Sequence, residues 1–186
     1  MDYKDQMKIA DEVLEKLYPI SPYAIVAGGA PRDWYFEKEA VDIDVFLYRP
    51  DLVTSHSIIS VFKSIGMDIW QIGHSMSGHP QYEKNALIYK VFNCTYKNVN
   101  FQFIFMKEKT FTSVVPKFPL NICMIWYKDK IHTTRDFNRA VKHKVIVKMN
   151  PLYADGDKYI KKIKERFPDY DYYDNYEKLA GFLLDS

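Results

Sequence analysis

The hydrophobic pattern of the first third of the chain switches between helical and strand spacing. Apolar residues recur every three or four positions over Asp5–Leu17, which predicts an amphipathic helix. The short apolar run Tyr23–Ala27 predicts a buried strand that ends at a glycine turn. A helix over Ala30–Phe36, a second strand over Val41–Tyr48 and a helix over Leu52–Ile65 follow. This order of elements is typical of a sheet with helices packed on it.

The rest of the chain is richer in β-branched and aromatic residues. Two such runs, Ala86–Tyr96 and Asn98–Met106, meet at Lys97 and predict a hairpin. Further strands are predicted at Met67–Ile72, Ile122–Tyr127 and Lys130–Thr133, and further helices at Thr134–His143, Asp155–Phe167 and Tyr176–Leu184. We therefore expect an α/β (α+β) fold, a mixed β-sheet with helices packed on one face and short C-terminal helices. Residues 1–150 are predicted to form the main domain, with 151–186 as a helical extension packed on it.

Composition narrows the classes of protein that the sequence fits. The 186 residues suit one domain with a single core, and a net charge of only +2 is too balanced to predict nucleic-acid binding. The two cysteines, Cys94 and Cys123, lie in apolar runs, so we expect reduced, buried thiols in a cytoplasmic protein. No apolar run is long enough to cross a bilayer, and we expect no membrane partner.

The pair Gly28-Gly29 stands between a predicted strand and a predicted helix. Glycine allows a positive φ and a close approach of the backbone to a ligand. A helix start also directs unpaired N–H groups toward an anion. The arrangement predicts a phosphate cradle, although a purely structural Gly-Gly turn has the same pattern.

Two carboxylates, Asp42 and Asp44, alternate on the second predicted strand. Residues two apart on a strand share a face, which places these side chains roughly 6–7 Å apart along the strand. Such a pair suits Mg²⁺, whereas without a cation a half-buried pair would repel. The competing interpretation is two solvated aspartates on an exposed sheet face.

Together these residues resemble a known signature. Gly28-Gly29, Arg32-Asp33 and Asp42-x-Asp44 are similar to the G-G-x-x-R-D…D-x-D pattern of polymerase-β-type nucleotidyltransferases, and most similar to the head domain of CCA-adding enzymes and bacterial poly(A) polymerases. The resemblance covers Tyr23–Tyr48. A fainter similarity follows at Phe118–Met124, where Asn121 matches an asparagine of the family.

The resemblance implies a role for each matching residue. It implies that Asp42 and Asp44 are catalytic and bind Mg²⁺ or Mn²⁺, and that Gly28 and Gly29 hold the triphosphate of an NTP. Arg32 is expected near phosphate or as a brace of the site. The other implied roles are bracing of the carboxylate pair by Asp33 and nucleotide binding by Asn121.

One departure from the family leaves two functions open. The superfamily has a third carboxylate on a later strand, and here Gln102 or Asn100 occupies that region. The first hypothesis is a nucleotidyltransferase that moves a nucleoside monophosphate from ATP or another NTP to a hydroxyl of an RNA end, a protein or a small molecule. The second is a catalytically weakened nucleotide-binding or inhibitory protein of the same fold. The size suggests a stand-alone, phage or toxin-like member, located in the host cytoplasm if it is phage-encoded.

Two weaker patterns concern nucleic-acid bases and backbones. Asp136 and Arg139 resemble the base-reading D-x-x-R motif of the family, or they form a surface ion pair at i,i+3. The basic residues of the late helix are predicted either to be solvated or to form an RNA-binding face; they are Lys158, Lys161, Lys162, Lys164 and Arg166. The RNA face would make RNA, including tRNA, a partner.

Overall fold

The structure is a computed structural model that describes residues 1–48, 54–71, 88–107, 114–149 and 156–175. Within these ranges the helices are α1 (Tyr3–Leu17), α2 (Gly29–Tyr35), α3 (Ser55–Ser64), α4 (Arg135–His143) and α5 (Gly156–Arg166). The strands are β1 (Ile25–Ala27), β2 (Ile43–Leu47), β3 (Trp70–Gln71), β4 (Ile88–Tyr96), β5 (Val99–Met106), β6 (Ile125–Lys128), β7 (Lys130–Thr133), β8 (Val145–Val147) and β9 (Asp171–Tyr173).

Seven strands form one mixed sheet in the order β3-β4-β5-β2-β1-β6-β7. Among these described strands, β2 and β5 form the one parallel pair, and every other neighbouring pair is antiparallel. The β4–β5 hairpin turns at Lys97 and Asn98, whose φ angles of 49° and 63° are those of a type I′ turn. In this strand order β2, which carries Asp44, is the fourth of seven strands and lies at the centre of the sheet.

Helices α1, α2 and α3 cover one face of this sheet. Val13 and Leu17 of α1, Trp34 of α2 and Phe62 of α3 are buried there against Phe103 of β5. The helical spacing of these apolar residues creates the face that packs, and burial of each large side chain contributes roughly 1.5–3 kcal/mol. This confirms the predicted α/β (α+β) architecture with helices on one side of a mixed sheet.

The opposite face of the sheet has a smaller apolar cluster. Phe46 and Ile104 are buried there under Val114 and Val115. Phe118 packs on Phe46 with ring centroids 5.6 Å apart. Among the described residues, this cluster covers only part of the face, and neighbouring positions along the strands carry polar side chains.

A third cluster joins the late elements to the rest of the molecule. It unites Ile122, Phe137 of α4, Ile146 of β8, Ile163 of α5 and Phe167. α5 and β9 thus contact elements on the other side of the predicted boundary at residue 150, while the division into a main domain and a helical extension stays a prediction.

Two local predictions need correction. The predicted strand at Ile122–Tyr127 begins only at Ile125, because Asn121–Cys123 forms a 3₁₀ turn in which the Asn121 side chain accepts from the Ile122 N–H. The C-terminal part also holds a strand as well as a helix, since β9 pairs in parallel with β8. The helix predicted over 176–184 lies outside the described residues. No helix among those described is long and apolar enough to span a membrane.

Candidate functional site

The glycine turn follows β1 directly. Gly28 has φ +84° and ψ −117°, a conformation that side chains rarely adopt, and it caps α2. A Cβ built at this position would lie 3.8 Å from the Phe118 ring, which is an ordinary contact. The backbone conformation, rather than a shortage of space, therefore requires glycine here.

The backbone donors of this turn are fewer than its sequence implies. The Gly28 N–H donates to the carbonyl oxygen of Ile125 at 3.1 Å and so belongs to the sheet. Pro31 has no N–H. The N–H groups of Gly29 and Ala30 in the first turn of α2 remain, since residues at a helix start have no carbonyl one turn earlier to accept from them. The predicted cradle thus reduces to these two donors.

Asp42 and Asp44 lie beside this turn. Asp44 is half-buried within β2, and Asp42 is exposed immediately before the strand begins. The antiparallel register Val26↔Val45 between β1 and β2 places Ala27 opposite Asp44, and Gly28 next along toward Asp42. Asp44 therefore lies on a central strand next to the glycine turn, as predicted, whereas Asp42, which was predicted on the same strand, precedes it because β2 begins at Ile43.

Gln102 lies on the other side of Asp44. β2 and β5 pair in parallel with Asp44↔Gln102 as direct partners, so their side chains share a face. Asn100 pairs instead with Thr95, whose hydroxyl donates to its Oδ1 at 3.1 Å. Of the two candidates for the third position, Gln102 is the direct neighbour of Asp44.

Asn93 extends this row on β4 and is a residue that the sequence reasoning missed. It pairs with Gln102, and its Oδ1 is buried without a hydrogen-bond partner in the part of the chain that the structure describes. The signal was available, because a two-residue turn at Lys97-Asn98 fixes the register of the hairpin and places Asn93 opposite Gln102. Asp44, Gln102 and Asn93 form what we call the polar row.

An aromatic pair lies on the same face beyond β1. Trp126 of β6 pairs with Ala27, and His132 of β7 pairs with Trp126. Their rings are stacked, with centroids 5.1 Å apart and planes inclined by 6°. At about 4.8 Å per strand, Trp126 is roughly 10 Å from Asp44 across the sheet.

Arg32 and Asp33 form a buried ion pair. The Arg32 Nε and Nη2 lie 2.9 and 2.8 Å from Oδ1 of Asp33, and Arg166 lies 2.7 Å from its Oδ2. Burial raises the pKa of the Asp33 carboxyl above its usual value, and the two guanidinium groups oppose this shift. Because both Asp33 oxygens are bound to arginines, the contact expected between Asp33 and the Asp42/Asp44 pair is replaced by a brace between α2 and α5.

Arg32 itself is 5% exposed. Its Nη1 donates to Sγ of Cys123 at 3.4 Å, and Cys123 in turn lies 3.1 Å from the Tyr159 hydroxyl. Of the two roles expected for Arg32, these contacts support bracing of the site.

Asn121 is buried and holds backbone segments together. Its Oδ1 accepts from the N–H groups of Ile122 and Val147, both at 2.8 Å, and its Nδ2 donates to the carbonyl oxygen of Val145 at 3.3 Å. These contacts give Asn121 a structural role in joining the 3₁₀ turn to β8. The nucleotide contact implied by the resemblance stays a prediction.

The weaker sequence patterns fall on the surface of the late helices. Asp136 and Arg139 form an i,i+3 ion pair at 3.8 Å on α4, which favours the surface interpretation. On α5, Lys161, Lys162 and Lys164 are exposed, and Lys164 also lies 4.3 Å from the centroid of the Tyr172 ring, while the side chain of Lys158 is outside the described part of the structure. Part of the predicted basic face is therefore used in contacts within the molecule.

No protein-family model matches this sequence, and no curated protein matches it. Solved structures do match its fold. A CCA-adding enzyme in complex with ATP superposes with a TM-score of 0.63 at 13% identity, over 97% of this chain and 42% of that one. A tRNA-processing enzyme in an apo form gives 0.60 at 14% identity, over 91% of this chain and 44% of that one.

A third match is the Thermotoga maritima CCA-adding enzyme complexed with tRNA, with a TM-score of 0.56 at 15% identity, over 84% of this chain and 36% of that one. This chain therefore spans about two fifths of the length of the structures it matches. At these identities the matches show the fold alone.

Proposed function

We propose that this chain is a polymerase-β-type nucleotidyltransferase that transfers a nucleoside monophosphate from an NTP to a hydroxyl acceptor. One observation carries the proposal. Asp44 lies on the central strand with the glycine turn on one side and Gln102 on the other, so the aspartate and the glycine turn of the sequence signature meet at one point of the sheet. The shared fold of the CCA-adding enzymes supports the same reaction class.

The donor set of the site fits a hard divalent cation. Asp42 and Asp44 offer carboxylate oxygens and Gln102 an amide oxygen, which are ligands that Mg²⁺ or Mn²⁺ prefers. Among the described residues, no group of three or more Asp, Glu, His or Cys side chains is arranged to hold a metal ion. Two carboxylates nevertheless suffice where substrate phosphates complete the coordination, as is usual for Mg²⁺. When bound, the cation would neutralise charge on the leaving pyrophosphate and lower the pKa of the acceptor hydroxyl.

The two sides of Asp44 then have different tasks. The N–H groups of Gly29 and Ala30 would bind the triphosphate beside β1. In-line displacement requires the attacking hydroxyl and the leaving pyrophosphate on opposite sides of the α-phosphorus. With the pyrophosphate near the glycine turn, the acceptor approaches from β5, where Gln102 and Asn93 can hydrogen-bond a hydroxyl. The acceptor in this scheme is an RNA end, a protein or a small molecule.

A second function follows from Gln102. An amide in the third position binds a cation less well than a carboxylate and cannot accept a proton from the acceptor. The chain would then be a nucleotide-binding or inhibitory protein in which transfer is weak or lost. It would bind NTP without releasing pyrophosphate.

A transfer screen distinguishes these functions. Purified protein is incubated with labelled NTPs, Mg²⁺ or Mn²⁺ and cell lysate as the acceptor source, in parallel with the Asp44→Ala variant. The enzyme hypothesis expects label in an acceptor with wild type and none with the variant. Equal labelling by both proteins would refute the proposed site, and NTP binding without any pyrophosphate release would favour the second function.

A further inference from the structure

On the side of α5, one arginine holds the segment that joins the glycine turn to the carboxylates. Arg166, the last residue of α5, uses its Nη2 for two contacts: Oδ2 of Asp33 at 2.7 Å and the carbonyl oxygen of Glu39 at 2.9 Å. Asp33 lies in α2, and Glu39 lies on the loop that leads to Asp42. A single nitrogen thus links the helix behind the glycine turn to the lead-in of the carboxylate strand.

The point at which Arg166 is anchored is rigid. Asp33 is 4% exposed, and its other oxygen binds Arg32. The residue after Arg166, Phe167, packs edge-on against Phe36 with ring centroids 5.1 Å apart, and the Arg32 guanidinium lies 5.7 Å from the Phe167 ring centroid. The end of α5 therefore holds α2 by charge and by ring packing together.

The same loop is held from its other side by Gln6 of α1. The Gln6 Nε2 donates to the carbonyl oxygen of Ala40 and its Oε1 accepts from the Ala40 N–H, both at 2.8 Å. Gln6 also accepts from the Trp34 indole at 3.0 Å. The stretch between Trp34 and Ala40 is thus fixed between α1 and α5, and the Glu39 carboxylate also forms an ion pair with the α-amino group of Met1 at 3.1 Å.

We infer that Arg166 is a positioning residue for the proposed transfer, and this inference rests on that function. By fixing Asp33 and Glu39 together, Arg166 sets the spacing between the glycine turn and the Asp42/Asp44 pair, which one triphosphate must bridge. A triphosphate can contact the glycine turn and the carboxylates at the same time only where their spacing matches its own length, so a change in that spacing should weaken NTP binding. The role also explains why Arg166 turns inward, whereas Lys161 and Lys162 of the same helix are exposed.

Three variants test the inference by steady-state kinetics. Arg166→Met keeps the apolar length of the side chain and removes both contacts, and we expect its KM for NTP to rise about tenfold or more with a smaller fall in kcat. Arg166→Lys should recover part of the loss, because one nitrogen makes both contacts and an ammonium group can replace it. Arg135→Met, the same change at an exposed position on α4, should behave as wild type.

Hydrogen exchange of the same proteins provides a readout that does not depend on an acceptor. In Arg166→Met, the amides of Lys38 and Ala40, which donate to the Asp33 carbonyl and to Gln6, should exchange faster. Amides of β5 should keep wild-type rates. Faster exchange throughout the sheet would indicate general destabilisation and would overturn the positioning role.

The outcomes separate the inference from the function on which it rests. Wild-type protein that neither binds nor transfers any NTP overturns the proposed function. Active wild type with an unchanged KM in Arg166→Met overturns the positioning role and leaves the function intact. A raised KM, partial recovery in Arg166→Lys and local loss of protection together support the inference.

Discussion

The two flanks of the central strand β2 differ in how they are built. On the β1 flank, the glycine turn and α2 are fixed by a buried ion pair and by hydrogen bonds to α1 and α5. On the β5 flank, the polar row continues with the neutral amides of Gln102 and Asn93. The flank that would hold the triphosphate is therefore rigid and resembles the family signature, whereas the flank that would receive the acceptor departs from it. In such a site we expect nucleotide binding to persist more readily than fast transfer.

The largest effect is expected where the two flanks meet. Asp44→Asn removes the charge but keeps the shape, and transfer should fall by at least about a thousandfold, since the stabilisation of charge by a metal is worth several kcal/mol. Initial rates of pyrophosphate release measure the loss. Asp169→Asn, the same change at an exposed position, is the control and should retain wild-type rates. Comparable rates in both variants would contradict a catalytic role for Asp44.

The second-largest effect is expected from a substitution in the glycine turn of the β1 flank. Gly28→Ala should destabilise the fold by about 1–3 kcal/mol because of the positive φ, and it should also weaken NTP binding by moving the turn. Gly66→Ala is the matched control, since Gly66 has φ +75° after α3 and a Cβ at this position would meet no described atom within 4 Å. Urea denaturation and calorimetry with NTP measure the two quantities. If both variants lose NTP affinity equally, the turn has no specific role in binding.

A smaller effect, and a gain, is expected on the β5 flank. Gln102→Glu places a third carboxylate beside Asp44 and should lower the Mg²⁺ or Mn²⁺ concentration needed for half-maximal rate by about tenfold. The free energy of unfolding should fall by about 1 kcal/mol or more, because like charges then lie close together. Asn100→Asp is the comparison, because Asn100 lies two residues before Gln102 on β5 and on the same face of the sheet. Rates measured across a metal titration decide between the two positions. If Asn100→Asp alone lowers the metal concentration needed for half-maximal rate, the third position belongs to Asn100.

The smallest effect on activity is expected at Asn121. Asn121→Ala removes three hydrogen bonds to backbone groups, so the free energy of unfolding should fall by about 1–3 kcal/mol. The KM for NTP of the folded protein should stay unchanged. Thermal unfolding and kinetics at low temperature separate the two results. A raised KM in fully folded protein would restore the nucleotide contact that the family resemblance implies.

Sequence alone predicted the β1 flank well because its parts are contiguous. A strand, a glycine turn, a short helix and a second strand follow one another from Tyr23 to Tyr48, and local rules are enough to order them. The β5 flank could be placed only once the register of its strands was known. The hairpin turn fixes the position of Asn93 opposite Gln102, but only the pairing of β2 with β5 in the structure puts Gln102 opposite Asp44. Arg166 was predicted to lie on a solvated or RNA-binding helix face, because no local pattern signals its contact with Asp33.

The parallel pairing of β2 with β5 also bears on how the protein folds. The β1–β2 pair and the β4–β5 hairpin each close short loops and can form early. Asp44 and Gln102, by contrast, become neighbours only after the long stretch from Leu47 to Val99 has been closed, and that closure costs chain entropy before any contact offsets it. Native hairpins should consequently precede the binding-competent state in refolding, and the ability to bind a nucleotide should return with the slowest phase.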